Sequence, residues 1–206
     1  EEIEDYTKID LKNIIFENVD DKLNLTQFTQ ISIFAASYTI FKVFCSETDI
    51  DTNDINVMLG HSLGEYTALA CSNRISLKDC SLILKKRGEL MNTAITPNET
   101  GMAALIGKKA DLIQKIIDTN NLNIEIANDN SNIQIVISGN MNEIKKSKKI
   151  FLNNGIKKFV TLNVSAAFHS KYMLEAQDKL SNDIENLMFK DNKIKIISNY
   201  DANIHS

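Results

Sequence analysis

A pentapeptide of the form G-x-S-x-G, at 60–64, stands between a short apolar segment and a segment with helical spacing. The preceding residues 55–59 are apolar and rich in β-forming types, and they predict a buried strand. The following residues 63–71 predict a helix. A strand that turns sharply into a helix between two glycines is typical of α/β domains. This feature therefore restricts the chain to an α/β fold.

Elements on both sides agree with that fold class. The spacing of apolar residues predicts one helix from a Thr26 cap to Val43, and a second helix from a Ser76 cap with Asp79 at the capping-box position. Near the end of the chain, a helix is predicted over 173–187 and a strand over 193–198.

The middle of the chain changes to the order β-α-β-β-α-β, with strands at 101–107, 123–127, 133–137 and 158–164 and helices at 110–119 and 141–153. This split order is that of a ferredoxin-like unit. We therefore predict two subdomains. Residues 1–97 and 165–206 form a large α/β subdomain, and residues 98–164 form a small ferredoxin-like one.

Composition narrows the class of function. The 206 residues are 43% apolar with a net charge of −4, and an acidic balance argues against nucleic-acid binding. No uninterrupted apolar run reaches the ~18 residues of a membrane span, which predicts no membrane association. The cysteines Cys45, Cys71 and Cys80 lack metal-ligand spacing, so we expect reduced, mostly buried thiols and no metal site.

Ser62 is the candidate nucleophile. The turn presents its hydroxyl at the start of a helix, where free N–H groups and the helix dipole favour an oxyanion. The alternative is an ordinary N-cap serine in a turn bounded by glycines.

A serine nucleophile needs a base, and the chain has three histidines. His61 adjoins Ser62 and should point elsewhere, and His205 lies at the end of the chain. His169 follows a predicted strand, where loops carry functional residues, and is the candidate base. The alternative for His169 is a histidine of a surface loop.

For several other residues, the sequence leaves open whether the role is functional or structural. Arg87 either clamps a carboxylate through two parallel hydrogen bonds or lies solvated on a helix face, whereas Arg74 is predicted to be exposed in a polar turn. Asn128 and Asn130 follow a predicted strand, where an Asx turn is the ordinary role. Met91 is more often core filler than a site residue.

Several separate motifs occur in the order found in one family: Gly60-His61-Ser62-Leu63-Gly64-Glu65-Tyr66-Thr67-Ala68-Leu69, Lys86-Arg87-Gly88-Glu89-Leu90-Met91, Gly101-Met102-Ala103-Ala104, Ala127-Asn128-Asp129-Asn130-Ser131 and Phe168-His169-Ser170. Together they resemble the malonyl-CoA:acyl carrier protein transacylase family over nearly the whole chain. The resemblance implies a hydrolase-like α/β subdomain with a parallel sheet, and a ferredoxin-like insert.

The resemblance also implies roles for individual residues. Ser62 would be the acylated nucleophile, His169 its general base and Arg87 the ligand of the malonyl carboxylate. The backbone N–H of Leu63 would supply half of the oxyanion hole.

Three further residues are candidates for substrate binding. Asn128 and Met91 lie in segments that resemble the family motifs, and Phe168 would narrow the pocket beside the base. The implied substrates are malonyl-CoA, a coenzyme A thioester, and the phosphopantetheine thiol of acyl carrier protein, with no cofactor. We expect a soluble monomer in a bacterial cytoplasm or in a plastid or mitochondrial lumen.

The family pattern extends beyond this chain at both ends. A Gly-Gln-Gly-Ser-Gln loop that would complete the oxyanion hole does not precede Glu1, and a later segment bearing a glutamine does not follow Ser206. We therefore expect these residues to be the middle of a longer enzyme. Two alternatives remain at this point: an α/β-hydrolase-type thioesterase, and a non-catalytic docking module for acyl carrier protein.

Overall fold

A computed structural model describes residues 1–94, 99–164 and 166–205. In chain order, its helices are α1 (Glu2–Thr7), α2 (Leu11–Glu17), α3 (Thr26–Glu47), α4 (Leu63–Cys71), α5 (Leu77–Thr93), α6 (Ala110–Thr119), α7 (Met141–Asn153) and α8 (Leu174–Glu185). Its strands are β1 (Val57–Leu59), β2 (Thr100–Ile106), β3 (Ile124–Ser131), β4 (Gln134–Asn140), β5 (Lys158–Thr161), β6 (Lys195–Ile197) and β7 (Ile204–His205). Short 3₁₀ helices lie at Val19–Asn24, Thr52–Asp54 and Lys171–Met173. The α/β class is confirmed.

The chain divides into two compact units, Glu1–Leu90 with Lys179–Ser206, and Met91–Asp178. The second unit contains the predicted small subdomain 98–164 and extends beyond it in sequence at both ends. The predicted boundary residues Pro97, Asn98 and Ser165 lie outside the described residues, so the subdomain limits stay a prediction.

The first unit contains a three-stranded sheet in the order β1-β6-β7. Strands β1 and β6 run parallel, with Leu59 opposite Ile197, and β7 pairs with β6 in the antiparallel sense. The predicted parallel sheet is therefore one parallel pair with an antiparallel neighbour in the described residues. The core of this unit is formed by helices, and its fully buried members include Ile31, Phe34 and Leu84.

Two local predictions for the first unit are wrong. Strand β1 is not buried, because Val57 is 40% and Leu59 67% exposed, and β1 lies at an edge where β6 is its partner among the described residues. Helix α3 begins at Thr26 itself with the extended residue Leu25 at the N-cap and no side-chain cap. The Ser76 cap of α5 is confirmed, because its hydroxyl accepts a hydrogen bond from the Asp79 N–H at 3.0 Å.

Helix α3 is the one helix in the described part of the chain that is long and apolar enough, by length and composition alone, to cross a membrane. Its residues Ile31 and Phe34 are fully buried and belong to the core cluster of the first unit. Of its apolar 18-residue stretch, 28% is buried within the described residues.

The second unit contains a four-stranded antiparallel sheet in the order β3-β4-β2-β5. Alternate residues of β2 face opposite sides because side chains alternate along a strand. Ala103 and Leu105 join a cluster with residues of α6 and α7, whereas Met102 and Ala104 join a second cluster that includes Phe168. Apolar side chains thus pack on both faces of the sheet, and the predicted β-α-β-β-α-β order is confirmed.

Candidate active site

The turn between β1 and α4 places Ser62 in a conformation that is rare for a residue with a side chain, with φ 52° and ψ −108°. A Cβ on Gly60 would lie 2.0 Å from the carbonyl carbon of Gly64, so the chain can turn this tightly only with glycine at position 60. A Cβ on Gly64 would meet no atom within 4 Å. The sharp turn predicted from the motif is present, and Gly60 is the glycine that it requires.

A second segment of the first unit holds the backbone of this turn. The Ser62 N–H donates to Oδ1 of Asn199 at 2.7 Å, and the Asn199 N–H donates to Oε2 of Glu65 at 2.9 Å. Because β1 and β6 are parallel, their carboxyl ends meet at one edge of the sheet, which brings the residues after each strand together. Sequence reasoning missed Asn199, although its place just after a predicted strand was a usable signal.

The guanidinium of Arg87 lies against the Ser62 hydroxyl. Its Nη2 donates to Oγ of Ser62 at 2.9 Å, and its Nη1 donates to Oε1 of Gln30. Burial lowers the pKa of Arg87, but an arginine guanidinium stays charged at neutral pH. The alternative of a solvated arginine on a helix face is wrong, whereas a role in carboxylate binding stays a prediction.

The N–H of Leu63 is the first amide of α4. The first amides of a helix have no acceptor within the helix, and they carry the positive end of its dipole. Ser62 and these amides border a mainly apolar cleft of about 670 Å³ whose lining includes Ile33 and Phe41. The position suits the predicted oxyanion donor, and the role itself stays a prediction.

His169 belongs to the second unit and has a left-handed backbone conformation, with φ 55°. The loop before it is held within that unit, because the Ala167 N–H donates to Oγ1 of Thr100 at 3.1 Å. The Lys171 N–H, just after the loop, donates to Oε2 of Glu125 at 3.0 Å. The predicted pairing of His169 with the serine joins residues of different units and stays a prediction.

The remaining candidates also lie in the second unit. Asn128 lies within β3, next to a bulge in its pairing with β4, and the strand continues to Ser131, so the predicted Asx turn at Asn128 is wrong. Phe168 packs beside the cluster on the second face of the sheet, and Met91 is half-buried in the last turn of α5. Their substrate contacts stay predictions.

Arg74 is not the exposed residue that the sequence predicts. It is half-buried, and its Nη2 donates to the backbone carbonyls of Asn192 and Ile194, each at 3.2 Å. The charge of Arg74 thus fixes the segment before β6, a long-range contact that a polar local sequence does not reveal.

The cysteines are free thiols, with Cys71 and Cys80 buried and Cys45 half-buried, as predicted. Burial raises the pKa of Cys71 to about 12 and also raises that of Cys80, so both thiols stay protonated at neutral pH. Across 1–94, 99–164 and 166–205, no group of three or more His, Cys, Asp or Glu residues is arranged to hold a metal ion.

A serine on a sharp turn between a strand and a helix is the geometry found in α/β enzymes that use a serine nucleophile. Residues 1–205 match the family described as the acyl transferase domain, and the chain belongs to this family.

Individual relatives agree with the family. The chain is 34% identical to a malonyl CoA-acyl carrier protein transacylase of Bacillus subtilis over 99% of its own length. It superposes with a TM-score of 0.91, at 30% identity and 98% coverage of this chain, on the malonyl CoA-acyl carrier protein transacylase of Coxiella burnetii, of which it covers 64%. It also resembles a malonyl transacylase solved in complex with a type II polyketide synthase acyl carrier protein, with a TM-score of 0.90 at 29% identity, covering 99% of this chain and 66% of that one. The chain spans 64% of the length of the Bacillus subtilis relative.

Proposed function

We propose that the protein containing these residues transfers the malonyl group of malonyl-CoA to the phosphopantetheine thiol of acyl carrier protein through a malonyl ester on Ser62. The contact between the Arg87 guanidinium and the Ser62 hydroxyl carries this proposal, because it places a fixed positive charge beside the atom to be acylated. An acyl group on Ser62 that ends in a carboxylate finds its counter-charge there.

In the first half-reaction, Oγ of Ser62 attacks the thioester carbonyl carbon and passes its proton to His169. The oxyanion forms at the start of α4, where the Leu63 N–H stabilises it. The intermediate then expels coenzyme A as the thiol, which takes the proton from His169, and leaves the malonyl ester on the serine.

In the second half-reaction, the carrier's phosphopantetheine thiol gives its proton to His169 and attacks the malonyl ester. Collapse of the intermediate returns the proton to Oγ of Ser62 and releases the malonyl thioester of the carrier protein. The reaction balances without a cofactor. The complex of a related transacylase with its acyl carrier protein supports the choice of acceptor.

Arg87 would select the acyl group. A hydrogen bond to a charged partner is worth about 1.5–3 kcal/mol, so Arg87→Leu should lower malonyl loading about ten- to a hundredfold. Acetyl loading, which offers no carboxylate, should change much less.

The test is intact-mass analysis of the full-length protein after exposure to malonyl-CoA. We expect one added malonyl group, located on Ser62 by peptide mapping and absent from Ser62→Ala. Addition of the acyl carrier protein in its phosphopantetheine form should then move the group to the carrier. Free malonate as the dominant product would identify a thioesterase, and an unmodified protein would favour a non-catalytic docking module.

A further inference from the structure

The guanidinium of Arg87 is held by two other side chains of the first unit. Oε1 of Gln30 accepts a hydrogen bond from Nη1, and the ring centre of Tyr66 lies 5.8 Å from the guanidinium carbon. Gln30 is 5% exposed on α3, and Tyr66 is half-buried on α4. A hydrogen bond in the guanidinium plane and an aromatic ring nearby restrict different motions of the same group.

Both partners are neutral at pH 7. An amide carries no charge, and burial raises the pKa of the Tyr66 phenol further above its ordinary value near 10. A carboxylate in either place would pair with the arginine and compete with an acidic ligand. Gln30 and Tyr66 instead orient the guanidinium and leave its charge available.

A close contact between two helices brings these groups together. A Cβ on Gly88 would lie 2.9 Å from Cα of Gln27 and 3.1 Å from the carbonyl oxygen of Thr26, so α5 can approach the start of α3 this closely only with glycine there. Gly88 follows Arg87 directly, and Gln30 lies about one turn after Gln27 on α3. The absence of a side chain at position 88 therefore sets the distance that the Gln30 amide spans.

We propose that Gln30 and Tyr66 are positioning residues that fix the Arg87 guanidinium for the carboxylate of the incoming acyl group. This inference rests on the proposed function and adds the origin of its selectivity. An arginine that is already oriented loses less conformational freedom when it binds the carboxylate. Gln30 and Tyr66 thus favour acyl groups that carry a carboxylate over those that do not.

The test compares acylation of Ser62 by malonyl-CoA and by acetyl-CoA in the full-length protein. Gln30→Met keeps the approximate size and removes the acceptor, and it should lower kcat/KM for malonyl-CoA roughly tenfold, mainly through KM. Tyr66→Leu should lower it roughly threefold to tenfold, and Tyr66→Phe, which keeps the ring but removes the hydroxyl that interacts with Arg87, should lower it less than Tyr66→Leu does. We expect acetyl loading to change less than about twofold in all three variants.

Matched substitutions at exposed positions serve as controls. Thr39→Met is the control for Gln30→Met, because Thr39 is exposed on the same helix as Gln30. Tyr6→Leu on α1 is the control for Tyr66→Leu. Both controls should leave the ratio of malonyl to acetyl loading unchanged. Gln30→Glu is a further variant of nearly unchanged shape, and its carboxylate should pair with Arg87 and abolish the preference for malonyl.

The outcomes separate the inference from the function on which it rests. A wild-type protein that malonyl-CoA does not acylate would overturn the proposed function and this inference with it. If the wild type is acylated but Gln30→Met and Tyr66→Leu slow malonyl and acetyl loading equally, the two residues are merely structural and the inference alone is wrong. An unchanged malonyl preference in Gln30→Glu would also overturn it.

Discussion

Within the described residues, which belong to a chain spanning 64% of the length of the Bacillus subtilis relative, the two units differ in how completely they enclose their own apolar side chains. In the second unit, the β2 residues on both faces of the sheet are buried, as Leu105 and Met102 show. In the first unit, the edge strand β1 exposes Val57 and Leu59, and most of the exposed large apolar residues in the described part of the chain lie in that unit.

This comparison shows that different interactions determine the structure in the two units. The second unit obtains its order from a core that its own strands and helices enclose. The turn that carries Ser62 obtains its geometry from individual contacts instead, namely the approach of Gly60 to Gly64 and the hydrogen bond to Asn199. We therefore expect substitutions in the second core to have the largest effects on stability, and substitutions around the turn to have smaller effects on stability together with effects on activity.

The largest effect is expected from Phe151→Ala in α7. Phe151 is 0% exposed in the main cluster of the second unit, and removal of a buried phenylalanine costs about 3–5 kcal/mol. Hydrogen exchange of the β2 and β4 amides measures this loss. The neighbouring Leu152 is 42% exposed, and Leu152→Ala should cost less than about 1 kcal/mol. Equal losses in the two variants would show that this core is not the source of the unit's stability.

A pair of glycine variants tests the local geometry of the turn. Gly60→Ala brings a Cβ into backbone atoms that cannot move easily, and it should destabilise the first unit by roughly 1–3 kcal/mol. Gly64→Ala has open space within the first turn of α4, and it should be neutral or stabilising by up to about 1 kcal/mol. Denaturant unfolding of both variants gives the comparison. A tolerated Gly60→Ala would contradict the proposed close approach.

Alkaline pH should weaken the first unit through Cys71. Burial raises the pKa of this thiol from 9.0 to about 12, so the folded chain keeps a proton that the unfolded chain loses above pH 9. The free energy of unfolding is unaffected by this thiol below pH 9. Between pH 9 and 12 the free energy of unfolding falls by up to about 1.4 kcal/mol for each pH unit. Unfolding free energies at pH 8 and pH 10 should therefore differ less in Cys71→Ala than in the wild type. An identical pH dependence in both proteins would refute the assignment to Cys71.

Regular elements were predictable because their signals are local. Helices α4, α6 and α7 have the predicted bounds, and the strands and helices of the second unit follow one another in the predicted order. Exposure of β1 was not predictable, because an apolar strand has the same sequence at the edge of a sheet as in its centre. The extension of β3 through Asn128 was missed because a bulge lets a strand continue through turn-forming residues.

The site residues that belong to a recognisable motif were predictable. The site residues that are defined by a contact with a distant part of the chain were not. The spacing of glycines around Ser62 identifies the turn. For Arg87 the sequence left two alternatives open, a carboxylate ligand and a solvated side chain, and only its contact with Ser62 excludes the solvated one. Gln30 and Asn199 lie far from Ser62 in sequence, and for these two residues the one sequence signal is the place of Asn199 just after a predicted strand. The half-buried position of Arg74 is unpredictable for the same reason, since the acceptors of its guanidinium lie more than 100 residues away in sequence.

The smallest predicted effect concerns the hydrogen bond between the Ser62 N–H and Asn199. Asn199→Ala removes the acceptor at 2.7 Å, and the loss of one such bond is worth about 0.5–1.5 kcal/mol. We expect kcat/KM for acylation of Ser62 to fall about two- to tenfold, because the turn then holds the hydroxyl less firmly. Asn203→Ala is the matched control, since Asn203 is exposed and lies after β6 in the same segment. If both variants lose activity equally, the segment as a whole matters and the contact with Ser62 does not. If Asn199→Ala is fully active, the individual contacts of the turn do not set its geometry, and the contrast drawn between the two units fails at its most specific point.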